Sequence, residues 1–280
     1  MRILYGLLLL GLIACQTTQS GTTAEQKTAK IMTYNIRLDA PNDKADNWHQ
    51  RKADMVNYLQ KENPDFLGVQ EALVQQIHYL DSALTDYAYI GVGRDDGQKE
   101  GEFMALFYKK MDWQIVQDST FWLSATPNQV SRGWDAACHR TTTVGHFKNR
   151  HNQEIYVLNT HFDHVGQQAR QLSTDLLINH LASLPKAVPA VLIGDFNFTP
   201  DNPNYQRLTA AVDDAFHTAA EKKVLSEGTF NGFKMEGTFP RLIDYIFTKT
   251  PVDYLEIPMP KTREGRQLSD HFPVIVELKL

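Results

Sequence analysis

Residues 191–200 read VLIGDFNFTP, an apolar run that leads directly into a carboxylate and an amide. Side chains alternate along a β-strand, so Asp195 and Asn197 lie on one face if the strand continues through them. Burial of a carboxylate is costly unless it is paired or contacts a metal ion. The stretch therefore predicts a core strand, Val191 to Ile193, whose end forms the floor of a polar site.

Polar residues end five other predicted strands in a similar way: Thr33, Asn35 and Arg37; Gln70 and Glu71; Asn159, His161 and Asp163; Asp244; and Asp270 with His271. One such residue alone is more often a turn former, a helix cap or a hydrogen-bonded histidine. If the strands are neighbours, however, their ends form one cluster with several carboxylates. A cation would offset the mutual repulsion of those carboxylates, and oxygen ligands suit Mg²⁺ or Mn²⁺.

Apolar periodicity predicts short strands separated by a few helices. The predicted strands cover 31–38, 65–70, 103–109, 114–124, 141–148, 154–162, 189–196, 241–249 and 272–280. The predicted helices cover 48–64, 72–84 and 166–185, the last with Leu172, Leu176, Leu177, Leu181 and Leu184 on one face. This pattern predicts one α/β domain over residues 30–280, in which sheets pack together with helices outside.

Composition allows a large core: 42% of the 280 residues are hydrophobic, including 14 Phe, 11 Tyr and 4 Trp. Global disorder is excluded on this basis. The formal net charge is −5. A protein that binds long DNA tightly is usually basic, so the charge argues against a nuclease that acts on long duplexes.

The N-terminal stretch MRILYGLLLLGLIAC predicts a secretory signal over residues 1–15. LIAC (12–15) resembles a bacterial lipobox, which makes Cys15 the predicted site of lipidation. A plain signal peptide, or a short anchor helix with a chance cysteine, is the alternative. Residues 16–29 are small and polar, as in a flexible tether. We expect an exported protein, lipid-anchored to the bacterial cell envelope at the outer membrane, on its periplasmic or surface side.

Cysteine usage excludes two kinds of site. The chain has two cysteines, Cys15 and Cys138, so a C-x-x-C metal or redox motif is excluded. If Cys15 carries lipid, Cys138 has no partner, and the exported domain depends on its core without an internal disulfide.

Six short motifs in fixed order resemble the endonuclease/exonuclease/phosphatase superfamily of metal-dependent phosphoesterases. They are TYN (33–35), QE (70–71), NTH (159–161), GDFN (194–197), IDYIF (243–247) and SDHFP (269–273). Further stretches, EFMALFYKK, FWLS, GWDAACHR, NTHFDHVG and GTFNGF, resemble its small secreted bacterial branch. The resemblance implies a four-layer α-β-β-α sandwich, in which two mixed sheets pack face to face with helices outside.

The resemblance also implies roles for the strand-end residues. The expected ligands for Mg²⁺ or Mn²⁺ are Glu71, as the principal ligand, and Asn35, together with Asp270 as a further ligand or as a carboxylate just behind the ligands. The expected catalytic residues are Asp195, Asn197, His161, His271 and Asp244. Asp195 and Asn197 would position the attacking water, the two histidines would contact phosphoryl oxygens, and Asp244 would hold the tautomer of His271. The general base is left open between Asp195 and the Asp244–His271 pair.

Substrate contacts are expected from the loops around the strand ends. The candidates are Arg37, Arg140, Trp134, His164, Asn231 and Phe233. Arg37 departs from the family pattern, because DNA-repair members carry an acidic residue there. We expect it to pair with substrate phosphate or with a neighbouring carboxylate, unless it is a solvated surface residue.

The expected substrate is a phosphorylated small molecule, a lipid head group or a short nucleic acid. The membrane is contacted only through the N-terminal lipid, and no obligate protein partner is implied. Three alternatives stay open: an exported nuclease on DNA or RNA, a non-catalytic binding lipoprotein with the same fold, and a zinc hydrolase of the metallo-β-lactamase type. The last rests on Asn159-x-His161-x-Asp163-His164, which differs by one residue from H-x-H-x-D-H.

Overall fold

The structure is a computed structural model that describes residues 28–280. The predicted signal peptide and Cys15 lie outside the described residues. Between Thr28 and Leu280, no helix is both long and apolar enough to cross a membrane.

Twelve strands, five α-helices and one short 3₁₀ helix, Pro41–Asp46, are described. The strands are β1 (Thr28–Asn35), β2 (Phe66–Gln70), β3 (Tyr87–Ile90), β4 (Leu106–Lys109), β5 (Trp113–Trp122), β6 (Thr141–Asn149), β7 (Glu154–His161), β8 (Ala190–Asp195), β9 (Glu221–Val224), β10 (Asp244–Thr248), β11 (Val252–Ile257) and β12 (Val274–Lys279). The helices are α1 (Trp48–Glu62), α2 (Val74–Ala83), α3 (Gln167–Ser183), α4 (Pro203–Thr209) and α5 (Ala215–Thr218).

The strands form two mixed sheets. The larger has the order β3-β4-β2-β1-β12-β11-β9, and the smaller has the order β10-β8-β7-β6-β5. Parallel pairs join β1 to β2 and β9 to β11 in the larger sheet, and β7 to β8 in the smaller; the remaining pairs are antiparallel. The sheets pack face to face, with β1 against β8 at the centre. This confirms the predicted α-β-β-α sandwich.

Strand β1 shows why the layers form. Its alternate residues Met32 and Tyr34 pack in an outer core with Met55 and Leu59 of α1. Ile31 points the other way, into the core shared by the two sheets. Because the strand is buried on both faces, it fixes one helix layer and the sheet-to-sheet contact together.

A buried hydrogen-bonded bridge links the two sheets. Gln70 at the end of β2 donates to Asn159 of β7 at 2.6 Å, and Asn159 donates back to the Val69 and Ala105 carbonyls at 2.9 and 2.8 Å. Burying polar groups destabilises a fold unless they are hydrogen-bonded. The bridge therefore sets how the ends of the two sheets lie relative to each other.

Several predicted boundaries are corrected. The strand predicted over 31–38 ends at Asn35, because Arg37 adopts a positive φ of 59°. Strands β3, β9 and β11 have no counterpart in the prediction; β9 is fully exposed and carries no apolar periodicity. The buried positions of α3 are Ala169, Ser173, Thr174 and Leu177, while the other predicted face residues, Leu172, Leu176, Leu181 and Leu184, are half-buried.

Gly194 makes a testable contribution to the fold. It has a φ of +148°, and an added Cβ would lie 2.0 Å from the Thr160 carbonyl oxygen on β7. We expect Gly194→Ala to lower the free energy of unfolding by about 3 kcal/mol or more, because both backbone strain and a clash with backbone oppose it.

Urea unfolding of both variants measures the effect. Gly237→Ala is the matched control, since Gly237 has a φ of +112° but open space around it. We expect it to cost about 1 kcal/mol. Equal losses in the two variants would contradict a steric role for Gly194.

Candidate active site

The predicted strand-end residues meet at one edge of the sandwich. Asn35 and His161 end β1 and β7, and Asp195 ends β8. Strand pairing sets His161 beside Asp195, and Asp244, the first residue of β10, opposite Asp195. Parallel and antiparallel pairings thus bring residues far apart in the chain to the same place.

Asp195 lies at the centre of this edge and is 1% exposed. Its Oδ1 accepts from the Asn197 backbone N–H at 2.9 Å, and its Oδ2 accepts from the Asn35 amide at 3.0 Å. Burial, and then the nearby Asp244, raise the pKa of Asp195 to about 7. A carboxylate with such a pKa is suited to exchange a proton near neutral pH.

His271 is held as an imidazolium. Its Nδ1 lies 2.8 Å from Asp244 Oδ2, and its Nε2 lies 3.8 Å from Asp195 Oδ2. Burial by itself would lower its pKa, but Asp244 and Asp195 raise the pKa to about 10. The ring therefore presents a positive N–H toward Asp195 at neutral pH.

His161 has the opposite character. Burial, followed by Arg140 and Arg94, holds the pKa of this ring well below its ordinary value. The Asn197 side-chain amide lies 3.1 Å from Nε2, so a neutral ring accepts there. Both predicted histidines therefore lie at this edge, with His271 charged and His161 neutral.

Glu71 and Asp270 face each other across Arg37. The Arg37 guanidinium lies 3.7 Å from Glu71 and 3.9 Å from Asp270, while Asp43 holds it in two hydrogen bonds of 2.9 and 3.0 Å. Burial, with Glu71 nearby, raises the pKa of Asp270 to about 6. Arg37 therefore pairs with neighbouring carboxylates, which is one of its two predicted roles.

The donor set fits a hard divalent cation. Glu71 and Asp270 supply carboxylate oxygens that repel each other, and a cation between them would offset that repulsion. A second acidic group, formed by Asp195, Asp244 and His271, has ligand atoms within 4.8 Å of one another. A protonated ring bonded to Asp244 has no free lone pair, so we regard the carboxylate pair as the better metal site.

The side-chain amide of Asn35 is not oriented as a metal ligand. Its Oδ1 accepts from the Arg37 backbone N–H, and its amide nitrogen donates to Glu71 and Asp195, each at 3.0 Å. In this orientation Asn35 holds the two carboxylates in place. A direct metal contact through Oδ1 would require the amide to turn over.

A cavity of about 660 Å³ opens above these residues. Its walls include the following predicted residues: Arg37, Glu71, Arg140, His161, His164, Asp195, Asn197, Phe233, Asp270 and His271. This volume is typical of a small-molecule site. Asp244 lies behind His271, where it contacts the ring and not the cavity.

Two predicted substrate contacts do not line the cavity. Asn231 is 2% exposed and donates to the Ser269 carbonyl, while its oxygen accepts from the Phe233 backbone N–H. Its hydrogen bonds hold the segment that carries Phe233 against Asp270 and His271. Trp134 is half-buried and lies outside the cavity wall as the structure describes it.

Four of the cavity residues adopt positive φ without being glycine: Arg37, Glu71, Asn197 and Phe233, with φ between 52° and 66°. Each such conformation costs on the order of 1 kcal/mol or more. Backbone strain of this kind is concentrated at functional sites, where surrounding contacts hold it. The strained residues therefore mark the same edge of the sandwich as the carboxylates.

Sequence reasoning missed some of the cavity wall, notably Glu102 and Arg241. Glu102 follows a loop after β3 and has no strand-end pattern around it. Its carboxylate oxygen Oε2 accepts from Arg94 at 2.6 Å. A carboxylate immediately before an apolar run, in EFMALFYKK, was the available signal.

The zinc-hydrolase alternative is wrong. The Asn159 side chain is hydrogen-bonded within the bridge between the sheets, so it is not available as a metal ligand at this edge. Asp163 accepts backbone N–H groups of Ala137, Val165 and Gly166, together with Arg140 Nε at 3.3 Å. It therefore organises loops instead of joining His161 in a metal site.

Comparisons with known proteins agree with this geometry. The profile of the Endonuclease/Exonuclease/phosphatase family matches residues 32–271. A family protein from Bacteroides thetaiotaomicron is 35% identical, with a TM-score of 0.86 over 90% of this chain and 97% of that one. A mannosyl-6-phosphatase from Bacteroides thetaiotaomicron VPI-5482 is also 35% identical, with a TM-score of 0.85 over 90% of this chain and 100% of that one.

A curated yeast protein is a more distant relative. The Saccharomyces cerevisiae "Probable RNA exonuclease NGL3" is 26% identical over an alignment of 211 residues, and the match covers 67% of this chain and 41% of the relative. The chain thus spans less than half the length of that relative.

Asp163 provides a test of the loop that carries Arg140. Burial opposes ionisation of Asp163, but the three backbone donors and Arg140 hold its pKa below the ordinary value of 3.8. We expect Asp163→Asn to lower the free energy of unfolding by about 2–3 kcal/mol at pH 7. The NH₂ group of the asparagine would face N–H donors that now bond to a carboxylate oxygen, and those donors would lose their acceptor.

The pH dependence has a defined sign. Because the folded-state pKa is depressed, the stabilisation is present above pH 3.8 and is lost as pH falls through the folded-state value. Denaturant unfolding should therefore show that the difference in free energy of unfolding between wild type and variant is smaller at pH 3 than at pH 7. Asp213→Asn, at an exposed carboxylate, is the control; a gap that widens on acidification would contradict the assignment.

Proposed function

Because this chain belongs to the endonuclease/exonuclease/phosphatase family, whose members hydrolyse phosphoesters, we propose that it hydrolyses a small phosphorylated molecule with Mg²⁺ or Mn²⁺. The observation that carries the proposal is the cavity of about 660 Å³ that holds Asp195 and His271 beside the Glu71–Asp270 pair. It admits one small ligand and joins an oxygen-rich cation site to a proton acceptor and an imidazolium.

Phosphate esters resist attack because their negative charge repels nucleophiles. Glu71 and Asp270 would hold the ion, with Asn35 keeping the Glu71 carboxylate in position. When bound, the ion would neutralise charge on the phosphoryl group and on the leaving oxygen.

Asp195 is the general base in this proposal. Its pKa of about 7 allows it to accept a proton from water, whereas His271 with a pKa of about 10 is already protonated. Asn197 holds Asp195 through its backbone N–H and reaches His161 through its amide. The His271 imidazolium, held by Asp244, donates to a phosphoryl oxygen and stabilises charge there.

A small substrate is favoured over long nucleic acid by two features. The formal net charge of −5 opposes binding of a long polyanion. The Phe230–Phe233 segment and the Arg94–Glu102 pair line the cavity, whose volume of about 660 Å³ suits a small ligand. A nuclease is the second candidate, favoured by the yeast relative, and a substrate panel that includes RNA separates the two.

Activity of the purified protein on a broad panel tests this proposal. The panel contains p-nitrophenyl phosphate, bis-p-nitrophenyl phosphate, sugar phosphates, nucleotides, RNA and DNA, in EDTA and after addition of Mg²⁺ or Mn²⁺. We expect no turnover in EDTA and recovery with metal, with phosphomonoesters of small molecules as the best substrates.

Matched variants assign the activity to this site. Asp195→Asn should lower kcat by about 10³-fold or more while the circular dichroism spectrum stays unchanged, because the base is lost. Asp201→Asn, at an exposed carboxylate outside the cavity, should retain activity. Absence of hydrolysis on the whole panel with every metal would refute the proposal and leave the non-catalytic binding protein.

We further propose that the protein is exported and anchored through lipid on Cys15. The support is the apolar run of residues 3–14, which stops at a cysteine and is followed by a polar tether. Anchoring would hold the catalytic domain at the membrane surface without a membrane-spanning segment.

Metabolic labelling with palmitate tests the anchor. Cys15→Ser should lose the label and move from the membrane pellet to the soluble fraction. Cys138→Ser, the other cysteine of the chain, is the matched control and should keep both properties. An unlabelled wild-type protein would refute lipidation.

A further inference from the structure

We propose that Glu102, with Arg94 and Arg140, forms a subsite that binds the hydroxyl groups of a polyhydroxylated leaving group. The preferred substrate is then the phosphate monoester of a sugar or another polyol. This inference rests on the proposed function and adds to it the part of the substrate that leaves with the oxygen.

The three side chains form a compact charged group on one wall of the cavity. Arg94 Nη1 donates to Glu102 Oε2 at 2.6 Å, and Arg140 Nη1 lies 3.9 Å from the same oxygen. The arginine side chains are 9% and 5% exposed, and that of Glu102 is 13% exposed. Such burial holds the group in one geometry, which recognition of a small ligand requires.

The two oxygens of Glu102 differ in their surroundings. The contacts with Arg94, Arg140 and His161 all involve Oε2. Within residues 28–280, Oε1 has no hydrogen-bond partner, and it is not fully buried. Because Glu102 lines the cavity, Oε1 is the oxygen that a ligand in the cavity can reach. A carboxylate oxygen in that position accepts a hydrogen bond from a ligand O–H.

Charge balance favours a neutral ligand group at this wall. The positive charges of Arg94 and Arg140 are matched by Glu102 and by Asp163, which accepts from Arg140 Nε. A second anionic group of the substrate would gain no net attraction and would be repelled by Oε1. Hydroxyl groups both accept from guanidinium and donate to carboxylate, so they satisfy the donors and the acceptor together.

The subsite lies next to the proposed reaction centre, in the same cavity. His161 separates the two places: its Nδ1 is 3.7 Å from Glu102 Oε2, and its Nε2 is 3.5 Å from Asp195 Oδ2. His164, 2.9 Å from Arg140 Nη2, continues the polar wall. Phe230 and Phe233 line the same cavity and supply apolar surface for the carbon skeleton of the ligand.

Substrate selectivity of Glu102→Gln tests the subsite. The measurement compares kcat/KM for mannose 6-phosphate, which has hydroxyl groups, with kcat/KM for p-nitrophenyl phosphate, whose leaving group has none. We expect the ratio of the two to fall about ten- to a hundredfold in the variant, because a charged acceptor is replaced by a neutral amide. Glu100→Gln, at an exposed carboxylate of the same loop, should keep the wild-type ratio.

Glu102→Asp is a second variant that distinguishes loss of the acceptor from loss of the folded structure. It keeps the negative charge beside Arg94 but withdraws the acceptor from the cavity, so its selectivity should fall while its melting temperature stays near that of the wild type. An equal loss on both substrates would overturn the proposal, because Glu102 would then act on the reaction centre through His161. A wild type that prefers fructose 1,6-bisphosphate would also overturn it, in favour of a second anion site.

Binding separates failure of the subsite from failure of the proposed function. If the wild type hydrolyses no phosphoester, the proposed function is refuted, and titration calorimetry with mannose 6-phosphate in EDTA still decides the subsite. Binding that Glu102→Gln weakens about tenfold or more supports hydroxyl recognition. Equal affinity in wild type and variant, or no binding to the wild type, overturns it.

Discussion

The crowding of four carboxylates, three of them buried, at one edge of the sandwich is the constraint on which the site depends. Glu71, Asp195, Asp244 and Asp270 meet where the two sheets end, and Asp195 and Asp244 are each 1% exposed. Repulsion and lost hydration would favour opening of this edge unless cations and donors compensate. The His271 imidazolium compensates two of the four, and Arg37 lies between the other two. A bound divalent cation would add to Arg37 where the deficit remains.

The support for these carboxylates comes from groups that do not line the cavity. Arg51 of α1 is 1% exposed and donates to the carbonyls of Ile36 and Leu268, one on each side of the site. Its guanidinium also lies 5.3 Å from the ring of Phe233. Below the site, the Gln70–Asn159 bridge joins the sheets. Removing any one of them would move strand ends, because the acidic residues sit on backbone that these bonds position.

Sequence reasoning succeeded where a residue's position follows from strand geometry. Asp195, His161 and Asn35 end strands with clear apolar runs, so alternation and strand order were sufficient to bring them together. It failed where position depends on how loops pack. Glu102 and Arg241 come from loops whose places depend on sheet-to-sheet packing, and no periodic pattern marks them. The leucines of α3 were misjudged for a related reason: small side chains at Ala169 and Ser173 occupy the most buried positions, which hydrophobicity alone does not reveal.

The cavity has two halves with different electrostatics, and this difference bears on how an acidic protein acts on an anionic ester. The half around Glu71 and Asp270 has an excess of negative charge that a divalent cation would offset, while the His271 imidazolium supplies positive charge beside Asp195. In the half around Glu102, the two arginines are matched by Glu102 and Asp163, so this half offers no net attraction to a second anionic group. The neutral His161 lies between the two halves and adds no charge to either of them.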